Sequence, residues 1–201
     1  MTHVDRFVLS YDNPLDLLRD PRVEKLVAEI LDTYQPSGKV LLVLPCSARK
    51  PYRRSPSQQL YWREAIRTVP EPGMLERATL SGVYGIVPAG FEDRVVNYNF
   101  NLNRASFTRG KHKQIIESLA DRVGQFLKRY GDCFGAVIAY GRERYWELMQ
   151  LVARDLQVDN LWVIPHKGAS LRGEGLDELR NLLRATVFDV GPSFPNIASA
   201  G

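Results

Sequence analysis

The chain is poor in the residues that build metal sites and disulfide frameworks. It has two cysteines, Cys46 and Cys133, and three histidines, His3, His112 and His166, in 201 residues. Two cysteines make no disulfide framework, and no Cys/His spacing resembles a zinc site, so no metal is expected. Long hydrophobic runs are also missing. No apolar stretch approaches membrane-spanning length, and the N-terminus lacks the charged and apolar segments of a secretory signal. We therefore expect a cytoplasmic protein in a reducing compartment, with no membrane partner and no cofactor. Repeats and low-complexity blocks are absent too.

What is present is an ordinary globular composition, 44% hydrophobic and 25% charged, with a formal charge of +4 and a pI near 9.1. The positive charge is patchy. It concentrates between Arg49 and Arg54 and again between Arg104 and Lys113, with few acids between, which fits an anionic partner such as nucleic acid. Arg49, Arg53, Arg54, Arg104, Arg109 and Lys111 are the candidate phosphate contacts.

Hydrophobic periodicity divides the chain into alternating strands and helices. Apolar runs at 39–45, 75–81, 134–140 and 161–165 read as four short buried strands. Helical spacing appears at 57–69, 111–130, 142–156 and 176–185. Asn13 followed by Pro14 is a helix start, and Pro21 either splits or kinks the helical stretch after it. This alternation predicts an α/β fold: a three-layer α/β/α sandwich on a mostly parallel four-stranded sheet. One domain is expected over 1–190, with a Pro/Gly/Ser-rich flexible tail over 191–201.

The chemistry concentrates where strands end. The first strand empties at Pro45 into Cys46, Ser47, Arg49, Lys50, Tyr52, Arg53, Arg54 and Ser55, ahead of a helix. That is the position in which open α/β sheets hold ligands. A thiol beside cations near a helix N-terminus is an activated nucleophile; the other reading of Cys46 is a small residue at a buried corner. Lys50 is a phosphate ligand or, desolvated, a base. Tyr84, Tyr98 and the nearby Phe100 can stack on a base or simply pack. Glu92 is the one acid between 82 and 92 and can orient an amine. His166, just past the fourth strand, is a titrating loop residue.

Pro45-Cys46, three residues, Lys50-Pro51-Tyr52, two residues, Ser55, two residues, Gln58 resembles the signature of the archaeosine synthase core family. Six of its seven fixed positions match. Gly85-Ile86-Val87-Pro88 with Glu92, then Tyr98-Asn99, is similar to that family's second conserved region. The resemblance covers roughly Val40 to Pro165. It implies a uracil-DNA-glycosylase-like fold and a transferase acting on tRNA that carries 7-cyano-7-deazaguanine, joining an amine (lysine in characterised members) to the nitrile. It also implies a separate RNA-binding or transglycosylase unit as partner. Catalytic roles fall on Cys46, Lys50 and Glu92. Substrate contacts fall on Ser47, Tyr52, Ser55, Gln58, Tyr84, Tyr98, Asn99 and His166. Two positions depart from the family pattern: Gln58 replaces a histidine and Asn99 an aspartate, and each loses a titrating group. A non-catalytic nucleic-acid or nucleobase-binding module and a base-flipping, glycosylase-like enzyme are the alternative readings.

Overall fold

The computed structural model describes residues 8–104, 110–141, 143–166 and 170–187. Arg109 and the tail over 191–201 lie outside that range, as does the side chain of Arg104.

Two capped helices open the chain. In α1 (Pro14–Leu18) the Asn13 side chain accepts from the Leu15 N–H, with proline at the first position. In α2 (Pro21–Thr33) Asp20 does the same for Arg22, again followed by proline. Pro21 thus starts a second helix rather than kinking one, because a proline at the first helical position gives up only an N–H that had no partner.

The main sheet follows. It contains β2 (Val40–Pro45), β3 (Leu75–Ser81), β4 (Gly85–Pro88), β6 (Ala136–Tyr140) and β7 (Leu161–Ile164), in the spatial order β4-β3-β2-β6-β7. Three neighbouring pairs are parallel, and β4 runs antiparallel to β3. The sheet is therefore mixed and has five strands, not four. The extra strand is the Gly85-Ile86-Val87-Pro88 segment, folded back on β3 through a tight turn in which Gly85 has φ +77°. A pair of two-residue strands, β1 (Val8–Leu9) and β5 (Asn97–Tyr98), forms a small separate parallel sheet.

Helices cover both faces. Residues of β2 alternate between two cores, as strand geometry requires. Leu41 and Val43 join α2, α4 (Gly110–Tyr130) and α5 (Arg144–Leu156) on one face. Val40, Leu42 and Leu44 join α3 (Pro56–Thr68) and α6 (Glu174–Val187) on the other. Among the described residues, no helix is long and apolar enough to cross a membrane.

This wiring positions the site. The chain leaving β2 enters α3 on one face, while the chain leaving the adjacent strand β6 enters α5 on the opposite face. These loops leave the carboxyl ends of β2 and β6 where strand order reverses, the place at which open α/β sheets hold ligands. Cys46 follows β2 directly, and Tyr145 lies in the first turn of α5.

Candidate active site at the end of the central strand

Cys46 is half-buried, and its N–H continues the ladder to the Leu80 carbonyl at 3.0 Å. Its Sγ lies 2.7 Å from the Tyr145 hydroxyl and 3.6 Å from that of Tyr98, which donates to it. Gly141 permits the approach of Tyr145: a Cβ there would stand 3.1 Å from the Tyr145 Cβ. The next described residue, Glu143, has φ 55° and ψ −127°, a conformation side chains rarely adopt, so the turn onto α5 is strained.

Behind the sulfur is a buried polar cluster. Ser81 Oγ accepts from the backbone N–H groups of Val83 and Tyr84, at 3.2 and 3.1 Å. It also contacts the hydroxyls of Tyr52 at 3.2 Å and Tyr98 at 3.1 Å. The Tyr52 and Tyr98 hydroxyls are 3.4 Å apart. Burial pushes the Tyr98 and Tyr145 phenols well above their ordinary values, and the neighbouring Cys46 sulfur adds to the effect. Both therefore keep their protons and remain hydrogen-bond donors at neutral pH.

Lys50 completes the cluster. It is 7% exposed, and its Nζ sits 4.0 Å from the centre of the Tyr98 ring and 5.5 Å from that of Tyr52. Burial lowers its pKa, and the Cys46 sulfur pulls the other way. A desolvated ammonium on an aromatic face beside a sulfur can give up and regain a proton more readily than a solvated lysine.

A second network lies beneath the motif loop. Glu92 is fully buried. Its Oε2 accepts from the Arg53 backbone N–H at 3.0 Å and from Arg77 Nη2 at 3.2 Å, and its Oε1 from Thr79 Oγ1 at 3.3 Å. Gln58, 1% exposed, donates through Nε2 to the Pro45 carbonyl at 2.7 Å and to Thr79 at 3.2 Å. Both side chains are enclosed; the Glu92 carboxylate is occupied, while Gln58 Oε1 has no hydrogen-bond partner among the described residues. They tie the loop to the sheet and offer no surface to a ligand.

The remaining candidates scatter. Tyr52 and Tyr84 are buried, and the Tyr84 hydroxyl accepts from the Val96 N–H at 3.3 Å. Ser47 donates to the Arg49 carbonyl at 3.0 Å, and Ser55 bonds Ser57 at 2.9 Å. Arg53 grips Asp93 with both carboxylate oxygens, at 2.7 and 2.8 Å, while Arg49 and Arg54 are exposed and joined by a hydrogen bond of 3.3 Å. Asn99 is exposed and donates to Ser10 at 2.9 Å, and exposed His166 meets Glu178 at 3.1 Å. Lys111 is exposed on the first turn of α4. No hydrogen bond or ion pair links these last three to the thiol cluster among the described residues.

Sequence reasoning missed Tyr145 and Ser81. Tyr145 reads as one more inward residue of an amphipathic helix, which it also is, at 8% exposure. The usable signal was its place in the first turn after a strand's carboxyl end.

Residues 23–183 match the family described as a domain of unknown function, DUF5591. The chain is 33% identical over 167 residues to archaeosine synthase of Methanocaldococcus jannaschii, covering 82% of this chain and 26% of that protein. It is 27% identical over 176 residues to archaeosine synthase subunit alpha of Thermococcus kodakarensis, covering 83% of this chain and 28% of that one. The chain thus spans about a quarter of the length of these curated relatives. Among solved structures it is similar to AF0587, a protein of unknown function, with a TM-score of 0.55 and 21% identity over 79% of this chain and 49% of that one. The profile match over most of the chain, together with the 33% identity to a curated archaeosine synthase, places this protein in the DUF5591, archaeosine-synthase-like family.

Proposed function

We propose that this domain acts on the nitrile of 7-cyano-7-deazaguanine in tRNA, in the cytoplasm, and joins an amine to it through a covalent intermediate on Cys46. One observation carries the reading: the Cys46 sulfur follows the end of β2 directly, with the Tyr145 and Tyr98 hydroxyls 2.7 and 3.6 Å away and a desolvated lysine in the same cluster. The archaeosine synthases to which the chain is similar support the substrate. A mixed sheet with helices on both faces supports an α/β/α sandwich of uracil-DNA-glycosylase type.

The chemistry starts from a thiolate and the Lys50 ammonium. The sulfur adds to the nitrile carbon, forming the C–S bond, and one π pair moves to nitrogen, which takes the Lys50 proton. The product is a thioimidate. A neutral amine, lysine in the family resemblance, adds to the same carbon and returns its surplus proton to Lys50. The C–S bond then breaks, and the thiolate leaves with its pair, stabilised by the Tyr145 and Tyr98 hydroxyls. The net reaction adds an amine across a nitrile to give an amidine and needs no redox partner. Glu92 and Gln58 act here as positioning residues for the loop. A second subunit supplying tRNA contacts is part of the proposal.

The test withholds the amine. Intact-protein mass spectrometry of the wild type with the nitrile-bearing tRNA should show an adduct, and added lysine should discharge it as a new nucleoside. Cys46→Ala should lose both, and a variant that still forms the nucleoside would end the covalent reading. The enclosure of Glu92 and Gln58 favours one alternative, a nucleobase-binding module, which would bind the modified tRNA yet form no adduct.

A further inference from the structure

A second cluster lies on the outer flank of α3. A groove of about 470 Å³ is lined by Arg53, Gln59, Trp62, Arg63, Ile66, Arg67 and Arg77. Its position follows from the layer geometry. Strands lie about 4.8 Å apart and packed helices about 10 Å apart, so two helices cover about four strands. On this face α3 and α6 leave the margin along β3 uncovered, and Glu92 fills part of it by bonding Arg77 and Thr79. Arg77 projects from β3 on the same side as Leu75, which belongs to the α3/α6 core.

The groove has the chemistry of a nucleic-acid strand site. No acidic side chain lines it. Arg63 and Arg67 stand one turn apart on the same helix face, an arrangement that costs helix stability through like-charge repulsion. The Arg77 guanidinium lies 5.7 Å from the centre of the Trp62 ring. Its side chain is 10% exposed, and its Nε has no hydrogen-bond partner among the described residues. Neighbouring acids balance this charge only in part. Asp93, itself 65% exposed, holds Arg53, and Glu92 holds Arg77. Glu64 reaches Arg67 at 3.4 Å but spends its other oxygen on Arg180 at 2.8 Å. The groove adjoins the active-site loop, since Gln59 Nε2 donates to the Arg53 carbonyl at 3.2 Å.

We propose that this groove carries the sugar–phosphate backbone of an RNA strand, with phosphates against Arg63 and Arg67 and one base laid on the Trp62 indole. Arginines flanking an aromatic face match alternating phosphates and bases, and stacking tolerates any base. The proposal deepens the tRNA reading above and names where the strand runs as it approaches the Cys46 loop.

The probe is a twelve-residue oligouridylate, followed by tryptophan fluorescence across a salt series. The wild type should bind with an affinity that falls with salt, the logarithmic slope steepening by roughly 0.7 for each phosphate neutralised. The double variant Arg63→Ala/Arg67→Ala should bind about tenfold more weakly, with a slope about 1.4 units shallower for the two phosphates released. Trp62→Phe should lose the quenching, and circular dichroism should show each variant folded. Wild-type binding by the double variant overturns the proposal, as does equal competition by polyglutamate. The nucleoside assay is scored separately. Oligouridylate binding without any nucleoside product leaves the groove standing and removes the nitrile chemistry. Nucleoside formation that survives unchanged in the double variant removes the groove and keeps the chemistry.

Discussion

The hydrogen of Ser81 decides what the tyrosines around Cys46 can do. Its oxygen accepts from the Val83 and Tyr84 N–H groups and from the Tyr52 hydroxyl. Its own hydrogen is then best spent on the Tyr98 oxygen, which frees the Tyr98 hydrogen for the sulfur at 3.6 Å. Tyr145 reaches the same sulfur at 2.7 Å. Two hydroxyls therefore bear on one sulfur, and the shorter contact fixes its position most firmly. Tyr145→Phe, which removes that contact, should therefore slow alkylation of Cys46 by iodoacetamide roughly tenfold, about one hydrogen bond's worth. Tyr98→Phe, which loses the longer contact, should have a smaller effect. An unchanged rate in Tyr145→Phe would mean that the phenol packs against the thiol without holding it. The exposed Cys133 reacts as well, so the rate must be read peptide by peptide.

At the scale of elements, the loop between β2 and α3 is held from below by Glu92. One carboxylate binds the loop backbone at Arg53, the β3 side chain Arg77 and, through Thr79, the amide of Gln58. Removing one partner of a buried ion pair leaves the other charge uncompensated, which costs about 3–5 kcal/mol. Glu92→Gln should lower stability in urea denaturation by about that amount, and a loss below about 1 kcal/mol would show that the network does not hold the loop. Sequence patterns reached only part of this. Leu75–Ser81 came out with the bounds read from its apolar run, and Gly110–Tyr130 within one residue, since one face of the helix is wet and its period survives. The strand Gly85–Pro88 was missed because all four residues are buried, and burial on both sides erases the alternation that marks a strand. Glu92 looked available for chemistry because a sequence shows an acid but not what lies on top of it.

For the molecule as a whole, the two cores share one strand. Leu41 faces the core of α2, α4 and α5, and its neighbour Leu42 faces the core of α3 and α6. The chain leaves β2 and β6 toward opposite faces, so a site at that point depends on both cores at once. If residues 8–187 form one cooperative unit, damage to either core must melt both. Leu41→Ala and Leu42→Ala, each in a fully buried position, should each cost about 2–5 kcal/mol through lost burial and the cavity left behind. The two faces can be watched separately. Trp146 packs on the first core, whereas Trp62 and Trp162 pack on the second. With Trp146→Phe, the remaining fluorescence reports the α3/α6 face, while far-ultraviolet circular dichroism reports all helices. In Leu41→Ala made in that background, the two urea curves should coincide at a single lowered midpoint. A fluorescence midpoint left at the parent value, with circular dichroism shifted alone, would divide the sheet into two units that unfold independently. The candidate site at Cys46 would then lie on a boundary between them rather than within one.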